Sequence, residues 1–181
     1  MFGAGVQARS HVEAMRSVRP VRRVMIVSRS PDAAEALASD VRATGIEASV
    51  GRPGVVADAD IVCTCTTSPE PVFDGRLLRP GTHVNAVGAS TPRTRELNDE
   101  TIRRSRVVVE TREAAMAEAG DLLIPMRAGI VAEEHIVADL AEVVGGVVVR
   151  RGPDDVTVFK SVGVAFEDLV VACAAVDRMS P

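Results

Sequence analysis

The sequence predicts an α/β fold, a mostly parallel sheet doubly wound with helices on both faces. Three observations predict it. Short Val-rich runs alternate along the chain with segments of helical periodicity, the pattern of strands joined by right-handed helical crossovers. Those runs are nearly continuous rather than alternating, as strands covered on both faces are. A glycine-rich loop, Gly3-Ala-Gly-Val-Gln-Ala8, opens the first helix. With 181 residues, 46% hydrophobic but 2% aromatic and lacking Trp and Tyr, the chain can bury one sizeable core of Val, Ala, Leu and Ile.

Taken in order, residues 6–18 read as a helix, with Val6, His11, Val12, Met15 and Val18 forming a helix-spaced stripe. Residues 23–27 (RVMIV) read as a buried strand. Ser30-Pro31-Asp32 supplies a cap and a first-turn proline for a helix running through Ala33–Ala43. Strands follow at 47–50, 60–66 and 83–87, the last introduced by the Pro80-Gly81 turn. A helix over 96–104 precedes a strand over 106–110. Helices are expected at 112–119 and 133–143, the second stopped by Gly145-Gly146. The stretch from Phe159 to Met179 reads as a loop and then an apolar helix.

A net charge of -4 gives no long-range field toward nucleic acid or an anionic membrane, and base-stacking aromatics are scarce. No run of 18 apolar residues and no secretory signal pattern occurs, so a cytoplasmic protein acting on small molecules is expected. Cys63, Cys65 and Cys173 have apolar neighbours and read as buried thiols in a reducing compartment. Cys63-x-Cys65 lacks a second ligand pair, so no metal is expected. Lys160 is the single lysine, either near a bound cofactor or a plain surface charge. His11, His83 and His135 are scattered and read as structural. Glu110 and Glu118 show no partner that would mark an acid/base pair, and Asp168 reads as stabilising the N-terminus of the last helix.

The loop Gly3–Ala8 fits G-x-G-x-x-A, the Rossmann-type fingerprint. The first glycine permits a tight turn, the second lets a pyrophosphate approach the backbone, and the small third residue lets helix pack on strand. The helix N-terminus then supplies N–H donors to the anion. Small-residue turns are common, so the helix, next strand and alternation that follow carry the reading. Only Met1 and Phe2 precede the loop, where the usual order 3-2-1-4-5-6 has its central strand. The sequence therefore predicts a sheet lacking its first strand, with unpaired backbone across a gap. Either the start lies upstream or the chain is a truncated product of doubtful stability.

Some 20 residues beyond such a loop, NAD-binding domains place Asp or Glu on the ribose 2′-hydroxyl, by about the spacing of the fingerprint. Here the place reads Val27-Ser28-Arg29-Ser30. A guanidinium flanked by hydroxyls suits a 2′-phosphate, so NADP is expected, with NAD as the alternative. A solvated loop charge at Arg29 stays open as the other reading.

Three further stretches carry a more specific pattern: Thr82-His-Val-Asn-Ala-Val-Gly-Ala-Ser-Thr-Pro-Arg-Thr-Arg-Glu-Leu97, Phe159-Lys-Ser-Val-Gly-Val-Ala-Phe-Glu-Asp-Leu169, and Thr64-Cys-Thr-Thr-Ser68 with Pro71-Val72-Phe73. With the glycine loop, they make almost the whole chain resemble the ornithine cyclodeaminase/μ-crystallin family. That resemblance implies a homodimer with an N-terminal substrate and dimerisation domain, which this sequence does not match. Residues 1–150 would be the NAD(P)-binding Rossmann-like domain, truncated at its start. Residues 151–181 would be a C-terminal segment whose helix packs on the N-terminal domain. By the same resemblance, Gly3, Gly5, Val6 and Gln7 line the pyrophosphate and Ser28 with Arg29 the adenosine ribose. Thr66, Asn85, Ala86, Val87 and Ser161 lie along the nicotinamide half.

Ser90 is the candidate catalytic residue. Cyclodeaminases and archaeal alanine dehydrogenases carry Asp at that point of the motif, whereas serine has no pKa near neutrality. The sequence is therefore closer to the ketimine or pyrroline-2-carboxylate reductase branch. Reduction of a protonated imine needs mainly positioning and desolvation, and Ser90 would hydrogen-bond substrate or water, or merely cap the next turn. The expectation is an NADP-dependent reductase of amino-acid-derived imines, of poor or no activity as this chain alone. The alternatives are an ornithine cyclodeaminase-type lyase using bound NAD and a non-catalytic nucleotide-binding remnant.

Overall fold

The computed structural model describes residues 1–179; Ser180 and Pro181, at the end of the segment expected over 151–181, lie outside the described residues. The helices are α1 (Val6–Val18), α2 (Pro31–Ala43), α3 (Asp99–Arg104), α4 (Arg112–Glu118), α5 (Gly120–Arg127), α6 (Leu140–Val144) and α7 (Ala165–Met179). The strands are β1 (Arg23–Ile26), β2 (Glu47–Val50), β3 (Ile61–Thr64), β4 (His83–Ala86), β5 (Ser105–Val109), β6 (Ile136–Asp139) and β7 (Val156–Lys160). β1 pairs with β2, and a five-stranded sheet runs β3-β4-β7-β5-β6. Every one of these pairings is parallel. The expected doubly wound Rossmann-type α/β fold is present.

The two sheets are joined by the first residues of the chain. Phe2 forms parallel bridges to Val27 on one side and Thr64 on the other. Its N–H donates to the Cys63 carbonyl at 2.8 Å and its carbonyl accepts from Cys65 N at 2.8 Å. Val27 N donates to the Met1 carbonyl, and Gly3 N to the Val27 carbonyl, each at 2.8 Å. The Phe2 ring is buried and tilts against Phe73 with ring centroids 5.4 Å apart. Toward the N-terminal ends of β1 and β3 an open cavity of about 1330 Å³ follows, lined among others by Met25, Val62 and Asn85. The predicted gap is thus bridged at its C-terminal end and open below it.

Several elements form as their residues dictate. Ser30 Oγ accepts from Ala33 N at 3.2 Å, Pro31 stands in the first turn, and Ala34, Leu37, Ala38 and Val41 bury one face of α2. In α1 the buried pair is Ala8 and Val12, while Val6 and Val18 are exposed, so the predicted stripe is narrower than expected.

Elsewhere the structure corrects the sequence reading. α3 begins at Asp99 rather than 96, because Asp121 Oδ1 takes the N–H groups of Glu96 and Leu97 and Asn98 caps the helix instead. The expected helix over 133–143 is strand β6 followed by α6. Ile136 and Ala138 alternate into the core, and Asp139 closes a capping box with Glu142. α5 follows α4 directly. Gly120 is required at its start, since a Cβ there would run into the Thr94 and Thr91 carbonyls. Phe159 and Lys160 belong to β7, not a loop. β7 lies between β4 and β5, so the segment over 151–181 enters the middle of the sheet before it leaves as α7. On α7, Phe166, Leu169 and Val171 are exposed, and Cys173, expected buried, is exposed with them. Among the described residues no helix is long and apolar enough to cross a membrane.

Candidate functional site

Parallel strands end on one edge of their sheet, and their loops gather there. The turn Gly3–Gly5 leaves the sheet on that edge. Gly3 has φ +96°, and a Cβ there would collide with the Cys65 carbonyl, so only glycine fits the turn. Gly5 is the N-cap of α1. No side chain caps this helix, its first turn holds no acidic residue, and a Cβ on Gly5 would meet nothing within 4 Å. The exposed first turn, with Gly5, Val6 and Gln7, therefore presents unclaimed amides to open space.

At the end of β1, Ser28 Oγ accepts from Ser30 N at 3.3 Å, and the exposed Arg29 reaches Thr67 Oγ1 with Nη2 at 3.4 Å. The loops after β1 and β3 thus come together around the guanidinium. After β4, Val87 N donates to the Thr64 carbonyl at 2.9 Å, and Ser161 N, after β7, donates to the Ala86 carbonyl at 3.0 Å. Thr66, Ala86, Val87 and Ser161 therefore share one rim with Gly3. Ser90 lies exposed on the loop beyond β4. Asn85 differs: its amide points at Met15 Sδ (3.7 Å) and Cys63 Sγ (3.8 Å), beside the cavity between β1 and β3.

Beneath the rim lie charged groups that sequence reading left without partners. Glu110 Oε1 accepts from Ser161 Oγ at 2.6 Å, and Oε2 accepts from Val162 N and Gly163 N at 3.0 and 2.8 Å. Lys160 is 1% exposed, which removes the surface-charge reading. Its Nζ stands 2.9 Å from Asp121 Oδ2 and donates to the Ala89 carbonyl at 2.5 Å. The pairing with Asp121 is ionic rather than a well-angled hydrogen bond, for Oδ2 has no hydrogen-bond donor among the described residues. Glu96, fully buried, accepts from Thr66 N and Gly88 N at 2.7 Å each. A lone lysine ending an apolar run, and an acidic residue beside a buried leucine, were the only local signals. Their partners lie 39 and 30 residues away along the chain, since Lys160 meets Asp121 and Glu96 meets Thr66.

Cys63, Cys65, His83 and His135 sit within the scaffold, whereas Cys173 and His11 lie toward solvent. Burial, with the Cys63 thiol and Glu96 nearby, pushes the Cys65 thiol up to about 12, so it stays neutral. His83 is held by Thr157 Oγ1 (2.8 Å) and Asn85 Oδ1 (3.2 Å), and His135 Nε2 by the Ile102 carbonyl (2.6 Å).

Comparison with known proteins agrees with this geometry. The model of the ornithine cyclodeaminase/mu-crystallin family matches residues 1–181. The chain is 38% identical over 180 residues to the ketimine reductase mu-crystallin of Mus musculus, covering 99% of this chain and 55% of that protein. It is 37% identical over 182 residues to a Delta(1)-pyrroline-2-carboxylate reductase of Bacillus cereus, covering 95% of this chain and 54% of the relative. The Thermococcus litoralis Delta(1)-pyrroline-2-carboxylate reductase, solved in complex with NADH and L-proline, superposes with a TM-score of 0.91. Its identity is 39%, over 94% of this chain and 54% of that one. The chain spans about half the length of the relatives it matches. Glycine turn, rim and matched relatives converge: the chain belongs to the ornithine cyclodeaminase/mu-crystallin family.

Proposed function

We propose that this chain is the dinucleotide-binding part of an NADP-dependent reductase of amino-acid-derived imines, of the ketimine or pyrroline-2-carboxylate type. The observation that carries it is the uncapped, acid-free N-terminus of α1 behind a glycine turn, on the rim where Arg29 also stands. The relatives include ketimine and pyrroline-2-carboxylate reductases, one of them solved with NADH, which supports a nicotinamide dinucleotide and an imine substrate; the preference for NADP over NAD rests on Arg29 alone.

A dinucleotide fits these residues. Gly3 and Gly5 let a pyrophosphate reach the amides of Val6 and Gln7, where the helix dipole favours negative charge. Ser28 and Arg29 face the adenosine ribose, and the guanidinium selects a 2′-phosphate, so NADP is preferred over NAD. Thr66, Ala86, Val87 and Ser161 border the nicotinamide half, the first three largely through their main chain, whereas Asn85 turns its amide away from this rim toward Met15 and Cys63. The bound cofactor supplies hydride to the imine carbon. Ser90, exposed on its loop, orients substrate or a water by hydrogen bonding and need not move a proton if the imine arrives protonated. In the whole protein we place α7, with Phe166, Leu169 and Val171 outward, against an N-terminal domain within a homodimer in the cytoplasm.

Calorimetric titration of the chain with NADPH and NADH tests the reading, followed by NADPH absorbance with Δ1-pyrroline-2-carboxylate in the protein that carries it. Binding of NADPH ahead of NADH, with net consumption of NADPH, is expected. No uptake of either dinucleotide by the folded chain ends the proposal, and ammonia release from ornithine without net NADPH change replaces the reductase by a cyclodeaminase.

A further inference from the structure

The loop over 88–97 displays an exposed tip on stems that are fixed by buried charge. Ser90, Thr91 and Arg93 are exposed, whereas Ala89, Glu96 and Leu97 are buried. At one stem, Glu96 Oε2 accepts from Gly88 N and Lys160 Nζ donates to the Ala89 carbonyl. At the other, Asp121 Oδ1 accepts from Glu96 N and Leu97 N at 2.7 and 2.8 Å. The remaining Glu96 oxygen accepts from Thr66 N, on the loop after β3. One carboxylate therefore ties two rim loops together, and the Lys160–Asp121 pair holds the loop that bears Ser90 from below.

We infer that Glu96, Asp121 and Lys160 are positioning residues, a buried charged clamp that sets the main chain of the loops after β3 and β4 against the nicotinamide half of the dinucleotide. The inference rests on the nucleotide reading above. Cohesion alone does not call for three charges, since well-packed apolar side chains hold loops together at least as stably. What carboxylates and an ammonium add is direction, because each oxygen fixes the vector of an N–H and the lysine fixes a carbonyl. Close packing leaves no slack: a Cβ at Gly88 would run into the main chain of Thr66 and the carboxyl carbon of Glu96. None of the three residues reaches the adenosine side, where Gly5 and Arg29 stand.

That separation gives the test. The full chain and two variants are titrated calorimetrically with NADPH and with 2′,5′-ADP, which carries the adenosine half alone. Glu96→Gln loses one of two acceptors. The double variant Lys160→Met with Asp121→Asn removes the charges but keeps an acceptor for Glu96 N and Leu97 N. NADPH affinity is expected to fall about tenfold in each, the scale of one charge-assisted hydrogen bond, with 2′,5′-ADP affinity unchanged. Unchanged NADPH affinity in both variants, or equal weakening of both ligands, overturns the clamp. If neither variant folds, hydrogen exchange of the unaltered chain decides. Thr66 and Gly88 amides should exchange as slowly as those inside β3 and β4, and exchange at loop rates overturns the inference. An unaltered chain that takes up neither ligand refutes the nucleotide reading, and the role toward the nicotinamide half falls with it, whereas uptake of both ligands with unchanged NADPH affinity in the variants sinks the clamp alone.

Discussion

The two halves of the rim are built by opposite means. The half formed by α1, β1, α2 and β2 packs around Ala8, Val12, Ile26, Leu37 and Val41, a small apolar cluster. It would meet its ligand through the main chain of a glycine turn and one exposed arginine. The half formed by the five-stranded sheet has the larger apolar cluster, yet its rim is set by Glu96, Glu110, Asp121 and Lys160, all buried. A helix N-terminus is pre-aligned by its own hydrogen bonds and needs no support from elsewhere. Loops that must present carbonyls and amides in given directions have no such ladder, and buried charge supplies the missing constraint.

The largest expected effect separates these halves by how they bear a volume-conserving change. Lys160→Met leaves Asp121 as a buried charge without its partner and is expected to cost about 3–5 kcal/mol. Leu37→Met, in the apolar half, should cost less than about 1.5 kcal/mol. Urea unfolding of both variants measures the difference. Equal losses would erase the distinction between the halves, and recovery of much of the loss in Lys160→Met with Asp121→Asn would locate it in the unpaired charge.

Next in size is the seam where the halves join. Gly3 and Gly45 both have positive φ, +96° and +85°, but only Gly3 faces a backbone neighbour where a Cβ would stand. Gly45→Ala should cost about 1–2 kcal/mol for the left-handed backbone alone. Gly3→Ala should cost about 1–3 kcal/mol beyond that, because the methyl meets the Cys65 carbonyl. Thermal or urea denaturation of the pair isolates the contact. A smaller loss at Gly3 would mean that Met1–Gly3 does not hold the sheets together.

The same division governs how much the sequence reveals. In the first half, elements follow from neighbours in the chain: Ser30-Pro31 announces α2, and Gly3-x-Gly5 announces the turn before α1. In the second half, partners distant in sequence override local pattern. Residues 96–98 have helical company, but Asp121 claims two of their amides and delays α3 to Asp99. β7 follows a polar stretch, Arg150–Asp155, and its own β-branched and aromatic run Val156-Thr-Val-Phe159 favours a strand, but only β4 and β5 on either side give it its place in the middle of the sheet. Glu110 lacks a partner within its own strand and finds three on the loop after β7. The motif names the rim positions, apart from Asn85, which turns into the cavity; the charges beneath them were not legible, because most of their contacts span 24 to 71 residues and nothing local records them.

A smaller effect tests the adenosine side. Arg29→Ala should weaken NADPH binding about tenfold, or about 1.4 kcal/mol, and leave NADH unchanged. Its stability should stay near that of the unaltered chain, since Arg29 is exposed and makes one long contact to Thr67. Equal loss for both dinucleotides would show that the guanidinium serves the pyrophosphate or the fold rather than a 2′-phosphate.

The smallest effect concerns His83, which stands on β4 in the five-stranded half and lines the cavity between β1 and β3. Burial lowers its pKa below the ordinary 6.5, with the Arg150 and Arg19 charges acting the same way and the Asn85 contact opposing them. The folded chain therefore favours the neutral ring, and the unfolded chain binds the proton more readily. Stability contributed by neutral His83 is complete above pH 6.5 and declines as pH falls through that value toward the lower folded one. Urea midpoints measured from pH 7.5 to 5.5 should fall in the unaltered chain and fall less in His83→Gln, which keeps a hydrogen-bonding side chain but cannot titrate. If the two profiles run parallel, the cavity solvates the ring in the folded chain as fully as in the unfolded one, and burial does not hold it neutral.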